Sequence, residues 1–198
     1  MHPNPAFRTP DEARDLAFAA ERGFGVLAAN GPAAPHLAHV PFVLEGRTVD
    51  LHLVRSNPLA RALPMGAALV VSGPDGYVSP DWYGVPDQVP TWNYVAVHLH
   101  GRLERLPDEA LRPHLDAVSA RFERALPKRA WTSGKMTEGV MERMMRAIVP
   151  VRMVVERIES TWKLNQNKEP AARLAAADAI GGSVGHALGD LAALMRNA

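Results

Sequence analysis

The side chains best able to do chemistry in this sequence gather at the ends of short apolar runs. They are His39 and His52, Arg55 and Asn57, Tyr77 and Ser79, Trp82 and Tyr83, and Trp92, Asn93 and Tyr94. All three tyrosines fall between Tyr77 and Tyr94. Such a set suits a flat, conjugated, partly charged ligand. Aromatic faces stack on rings, Asn and Ser bond ring carbonyls and nitrogens, and an Arg forks onto phosphate. The same residues serve equally well to fill a barrel mouth or a dimer contact, so composition alone leaves both readings open. His98 and His100, two residues apart on one strand face, read as satisfied core histidines or as a proton donor.

Other chemistries are excluded by what the sequence lacks. There is no cysteine, and so no disulfide, thiolate nucleophile or Cys-ligated metal. Neither a GxxxxGK[ST] loop nor a GxGxxG turn occurs, so a bound phosphate must be held by side chains and strand ends. No GxSxG elbow occurs, and Ser79 sits in a YVSP turn. His36 and His39 lack an HExxH or an acidic cluster, and no metal is expected. The formal net charge of +1 gives no overall field toward nucleic acid. The densest basic stretch, Arg121 to Arg146, is diluted by Glu123, Glu138 and Glu142 and reads as a solvated helical surface. With no helix-turn-helix pattern, direct DNA binding is not expected. No stretch approaches the ~18 apolar residues of a membrane span, and the opening MHPNPAF has no signal-peptide character, so the expected location is the cytoplasm, with no membrane contact.

These residues must be positioned by a mainly β scaffold. A Thr-Pro-Asp-Glu start and helical spacing of Leu16, Ala19 and Ala20 predict a helix over Thr9 to Arg22. Strands are predicted near 24–29, 36–44, 48–54 and 67–72, with a short helix from Asn57 to Leu63 in which Asn57 caps and Pro58 opens. The stretch GPDGYVSPDWYGVPDQVP carries so much Pro, Gly and Asp that it reads as a strand giving way to a long loop. A long strand follows over Thr91 to Leu106, with Trp92, Tyr94, Ala96, His98 and His100 on one face and Asn93, Val95, Val97 and Leu99 on the other. Helices are predicted over 107–124 and 137–147, a strand over Pro150 to Trp162, and an Ala-rich helical tail broken at Gly181-Gly182. Six or seven strands without βαβ alternation predict a small antiparallel β-barrel with peripheral helices.

Five segments read in order sharpen this: PHLAHVPF at 35–42, LHLVRSNPLARAL at 51–63, GPDGYVSPDWY at 73–83, VPTWNYVAVHLHG at 89–101 and TWKLNQNK at 161–168. Together they resemble the PaiB family of FMN-binding proteins, from about Met1 to Lys168. The resemblance implies an FMN-binding split barrel of six or seven strands over 1–168, related to pyridoxamine 5′-phosphate oxidase-like folds, with 169–198 as a C-terminal helical extension of the same domain. It implies a homodimer with FMN at the interface, acting on a small-molecule substrate as a flavin-dependent oxidoreductase or as a flavin sensor. By the same resemblance Arg55, Ser56 and Asn57 would hold the phosphate, Lys163 would add a positive charge, and His39, Tyr77, Ser79, Trp92, Asn93 and Tyr94 would line the ring and ribityl chain. Members named as negative transcriptional regulators suggest, as an alternative, a regulator acting indirectly or through a partner. Related barrels that bind haem suggest another. Two departures stand out. Only GVPDQ separates Tyr83 from Val89, where the family commonly has a longer charged loop, and Asn165 stands where a Ser is more usual.

Overall fold

Apolar residues recur at a period of two in this chain, and that alternation is what its strands use to separate an inner from an outer face. The computed structural model describes residues 2–8 and 11–198. In chain order the regular elements are α1 (Glu12–Arg22), β1 (Phe24–Ala29), β2 (His36–Glu45), β3 (Thr48–Val54), α2 (Pro58–Arg61), β4 (Met65–Val78), β5 (Thr91–Arg105), α3 (Leu111–Glu123), α4 (Val140–Met145), β6 (Ile148–Lys163), α5 (Pro170–Ala179), β7 (Gly185–His186) and α6 (Leu188–Arg196). The sheet order is β1-β2-β3-β6-β5-β4-β7 with an added β1–β4 pairing. Six strands therefore close into an antiparallel barrel and β7 adds to β4. Of the expected first helix, Thr9 and Pro10 lie outside the described residues.

The chain divides into two compact units. One holds 16–71 and 98–158. In it β1 pairs with β2 along Phe24↔Pro41 to Ala29↔His36 and with β4 along Val26↔Val70 to Ala28↔Ala68, while β3 pairs with β6 along Thr48↔Val154 to Val54↔Ile148. Leu27, Phe42, Leu51, Leu69, Leu99, Leu103 and Met153 are its fully buried side chains of greatest volume, with Leu59 of α2. The β2–β3 hairpin turns at Gly46, whose φ of 56° a side chain would strain. Gly101 is required for a different reason. A Cβ there would stand 2.0 Å from the Val154 carbonyl oxygen, so only glycine permits this approach of β5 to β6.

The other unit holds the described residues up to Asp15, then 72–97 and 159–198. The Ala-rich tail packs here. Ala172, Ala176 and Ala177 of α5 and Leu191, Ala192 and Met195 of α6 are buried, and the Arg173 guanidinium donates to the carbonyls of Met195 and Arg196. The strand read near 67–72 and the strand read at the start of GPDGYVSPDWY prove to be one, β4, which runs unbroken to Val78 because Asp75 and Gly76 pair with His186 and Gly185 of β7. Pairing from more than a hundred residues away overrides the turn-forming tendency of Pro74 and Gly76. Gly76 also makes room for the tail, since a Cβ there would meet Leu188 at 2.9 Å and Leu191 at 3.0 Å.

Candidate functional site

Arg55 follows β3 in the turn that leads into α2. Its backbone N–H donates to the Ala147 carbonyl at 2.8 Å, its Nε to Arg146 O at 3.1 Å and its Nη2 to Ile148 O at 3.2 Å. The guanidinium that the sequence offered as an open fork is thus pinned to the chain entering β6. Asn57 is likewise engaged, its Oδ1 accepting from the Leu59 N–H at 2.9 Å as the cap of α2. Because α2 is a single turn, its amides add little to an anion site. What the fold supplies instead is a cavity of about 730 Å³ lined by Arg55, Ser56, Arg61, Arg105 and apolar neighbours. Asp108 accepts from Arg105 Nη2 at 2.8 Å and stands 3.8 Å from Arg55 Nη2. The hydrogen bond from Arg105 holds the Asp108 carboxyl below its usual range. Among the described residues Arg61 has no acidic partner, so the three guanidiniums exceed their one carboxylate by two charges, which matches a phosphate dianion. Sequence reasoning missed Arg61 and Arg105. Arg61 was findable, lying four residues after Asn57 and hence one turn on; Arg105 comes from the far end of β5 and left no local signal.

The aromatic residues are distributed by strand alternation. Trp92 is 45% exposed and meets the Tyr77 ring edge to face, centroids 6.4 Å apart. Tyr94 follows on the same face of β5. Asn93 does not. It is fully buried on the opposite face, and neither its Oδ1 nor its Nδ2 has a partner among the described residues. Asn93 thus lies on the face opposite Trp92 and Tyr94, as the alternation of β5 predicts, because consecutive strand residues point to opposite faces. Ser79 caps the short turn Pro80–Tyr83, its Oγ accepting from the Asp81 N–H at 3.4 Å. Lys163 donates to Thr91 Oγ1 and stands 5.8 Å from the centre of the Phe7 ring. Burial, then the nearby Lys168 charge, pull its ammonium pKa down. His39 is exposed and lies stacked on Phe24 at 6.4 Å. Of the expected site, His39, Arg55, Ser56 and Asn57 belong to the unit of residues 16–71 and 98–158, and Tyr77, Ser79, Trp92, Asn93, Tyr94 and Lys163 to the other.

The departure at Asn165 has a structural reason. Asn165 takes a φ of 63°, a left-handed conformation that Asn tolerates better than most residues, and its Oδ1 accepts from the buried Tyr83 hydroxyl at 3.3 Å. His52, grouped with the ligand residues on sequence grounds, turns instead to His114 of α3, a residue the sequence had not singled out. His52 Nδ1 and His114 Nε2 are 3.1 Å apart. Burial lowers the pKa of both rings, with the His52 charge adding to the effect at His114, which falls to about 4.

A family model described as "Putative FMN-binding domain" matches residues 1–157. The chain belongs to that FMN-binding family. Membership assigns FMN as the cofactor and agrees with the resemblance drawn from the five segments. The chain is also 28% identical over 158 residues to "Protease synthase and sporulation protein PAI 2" of Bacillus subtilis (strain 168), covering 76% of this chain and 75% of that one. Among solved structures, the conserved hypothetical protein Rv2991 of Mycobacterium tuberculosis superposes with a TM-score of 0.59 at 19% identity, over 85% of this chain and 94% of its own. The FAD and haem binding protein of Mycobacterium smegmatis superposes with a TM-score of 0.57 at 21% identity, over 79% and 73%. At these identities the structures speak for the fold. In this FMN-binding family member no helix among the described residues is long and apolar enough to cross a membrane.

Proposed function

We propose that the protein is a homodimeric FMN-binding split-barrel protein working as a flavin-dependent oxidoreductase on a small substrate or as a flavin sensor. The observation that carries this reading is the basic cavity of Arg55, Ser56, Arg61 and Arg105, in a chain that belongs to an FMN-binding family. The residues present fit the cofactor. Arg61 and Ser56 are free to meet a phosphate and Arg55 and Arg105 lend charge; in the other unit the exposed Trp92 and half-buried Tyr77 are aromatic faces of the kind a conjugated ring stacks on. Tyr94, His39 and Lys163 are the remaining side chains proposed to complete the flavin surroundings. Asn57 and Ser79 act through the turns they cap. Bound FMN supplies the electron or hydride chemistry, and the protein supplies binding, orientation and charge.

The sensor form is the one a regulatory role would take, with flavin occupancy passed to a partner. The basic stretch of 121–146 supports that over direct contact with DNA, since Lys128 is tied to Glu123 and the Arg121 guanidinium donates to the Glu21 carbonyl. Absorbance and fluorescence titration of the purified protein with FMN tests the proposal, alongside sedimentation velocity for the dimer. Saturable binding by a dimer supports it. A folded protein that takes no flavin, or that carries a haem Soret band instead, overturns it.

A further inference from the structure

A second cavity, of about 550 Å³, lies beneath α3 in the unit of residues 16–71 and 98–158. None of the ten residues expected around FMN lines it. Its size is that of a small-molecule site. Val43, Leu106 and Pro113 give it an apolar body, and its charged lining groups are Glu45, Asp50 and Arg152. Arg152 is already spent, as its Nε and Nη2 donate to the two carboxylate oxygens of Asp50 at 2.7 and 2.8 Å. Glu45 is exposed and has no cationic partner among the described residues, so the cavity carries one surplus negative charge.

The polar group at the wall is His114, 8% exposed, whose Nδ1 has no partner among the described residues. A buried polar atom left unpaired costs free energy and marks a place for a hydrogen-bonding guest. With both rings uncharged, the proton between His52 and His114 rests on one ring or the other. When it sits on His114 Nε2, the Nδ1 lone pair is an acceptor.

We infer that this cavity binds a small organic ammonium ion, its apolar body on Val43, Leu106 and Pro113 and its N–H groups shared between the Glu45 carboxylate and His114 Nδ1. An anion is disfavoured because the one guanidinium present is held bidentately by Asp50. The site goes beyond the flavin reading and does not depend on it.

The test is calorimetric titration of the full chain at pH 7.5 with benzylammonium chloride, and with benzyl alcohol and benzoate as its neutral and anionic counterparts. Saturable benzylammonium binding is expected, weaker by about tenfold in Glu45→Gln, as for loss of one charge-assisted hydrogen bond. Benzoate should not bind, and the bound ligand should shift the His114 Nδ1 nitrogen resonance. Glu45 is exposed, so this variant keeps the fold, which an unchanged thermal midpoint confirms. No saturable benzylammonium binding, equal binding by benzoate, or an unchanged affinity in Glu45→Gln overturns the inference. FMN titration of Glu45→Gln should match the wild type, keeping this outcome separate from that of the flavin site.

Discussion

His52 Nδ1 and His114 Nε2 lie 3.1 Å apart where α3 covers β3, two imidazoles sharing one hydrogen bond. Both pKa values are lowered by burial, that of His114 to about 4 from an ordinary value of 6.5. A histidine whose folded pKa lies below its unfolded one stabilises the fold fully above the unfolded value. That contribution is lost as the pH falls toward the folded pKa, because the unfolded chain takes up the proton first.

Denaturant unfolding from pH 7.5 to 4.5 should therefore show stability falling below about pH 6.5, by on the order of 2–3 kcal/mol from His114. His114→Leu, which removes the titrating group, should flatten the dependence over that window. Parallel curves for the two proteins would contradict this account of the pair.

The indole Nε1 of Trp162 donates to Asp15 Oδ1 at 2.8 Å, both residues being buried, and the Arg14 guanidinium lies 3.7 Å from the centre of the indole ring. Asp15→Ala leaves a buried N–H without its acceptor and should cost about 2 kcal/mol. Asp15→Asn keeps an acceptor and should cost less. Thermal unfolding of the two variants decides it, and equal losses would mean that the hydrogen bond is not what Asp15 contributes.

Asn93 is fully buried with both polar side-chain atoms unpartnered among the described residues. Asn93→Val, nearer to it in volume and suited to a strand, removes that desolvation cost and should raise stability by about 1 kcal/mol. A drop in unfolding midpoint would show that bound water or a ligand satisfies the amide.

Most of the strand plan was legible because its signals are local. The runs at 24–29, 36–44 and 48–54 are short, rich in Val, Leu and His and bounded by Pro-rich and Gly-bearing breaks, and the structure forms β1, β2 and β3 there. Asn57-Pro58 announced α2 for the same reason. The two residues of β7 were not legible, since they exist only through their pairing with Asp75 and Gly76 and no window of sequence contains both.

The candidate site divides in the same way. Trp92 and Tyr94 were legible as one face and Asn93 as the other from alternation alone. Arg61 and Arg105 are brought to one cavity by a helix turn and a distant strand end. His114 gave no sign because a single histidine in an amphipathic helix looks like any other; only the position of His52 on β3 gives it a partner.

The central claim is that the cavity of Arg55, Ser56, Arg61 and Arg105 holds the FMN phosphate. Comparing FMN with riboflavin, which lacks that phosphate, in wild type and in Arg61→Ala tests it most directly. The account predicts that the wild type binds FMN at least tenfold tighter than riboflavin, a difference of about 1.4 kcal/mol, and that Arg61→Ala loses most of this preference while riboflavin binding is unchanged. Equal affinities of the wild type for the two flavins, or a preference untouched by Arg61→Ala, would contradict it.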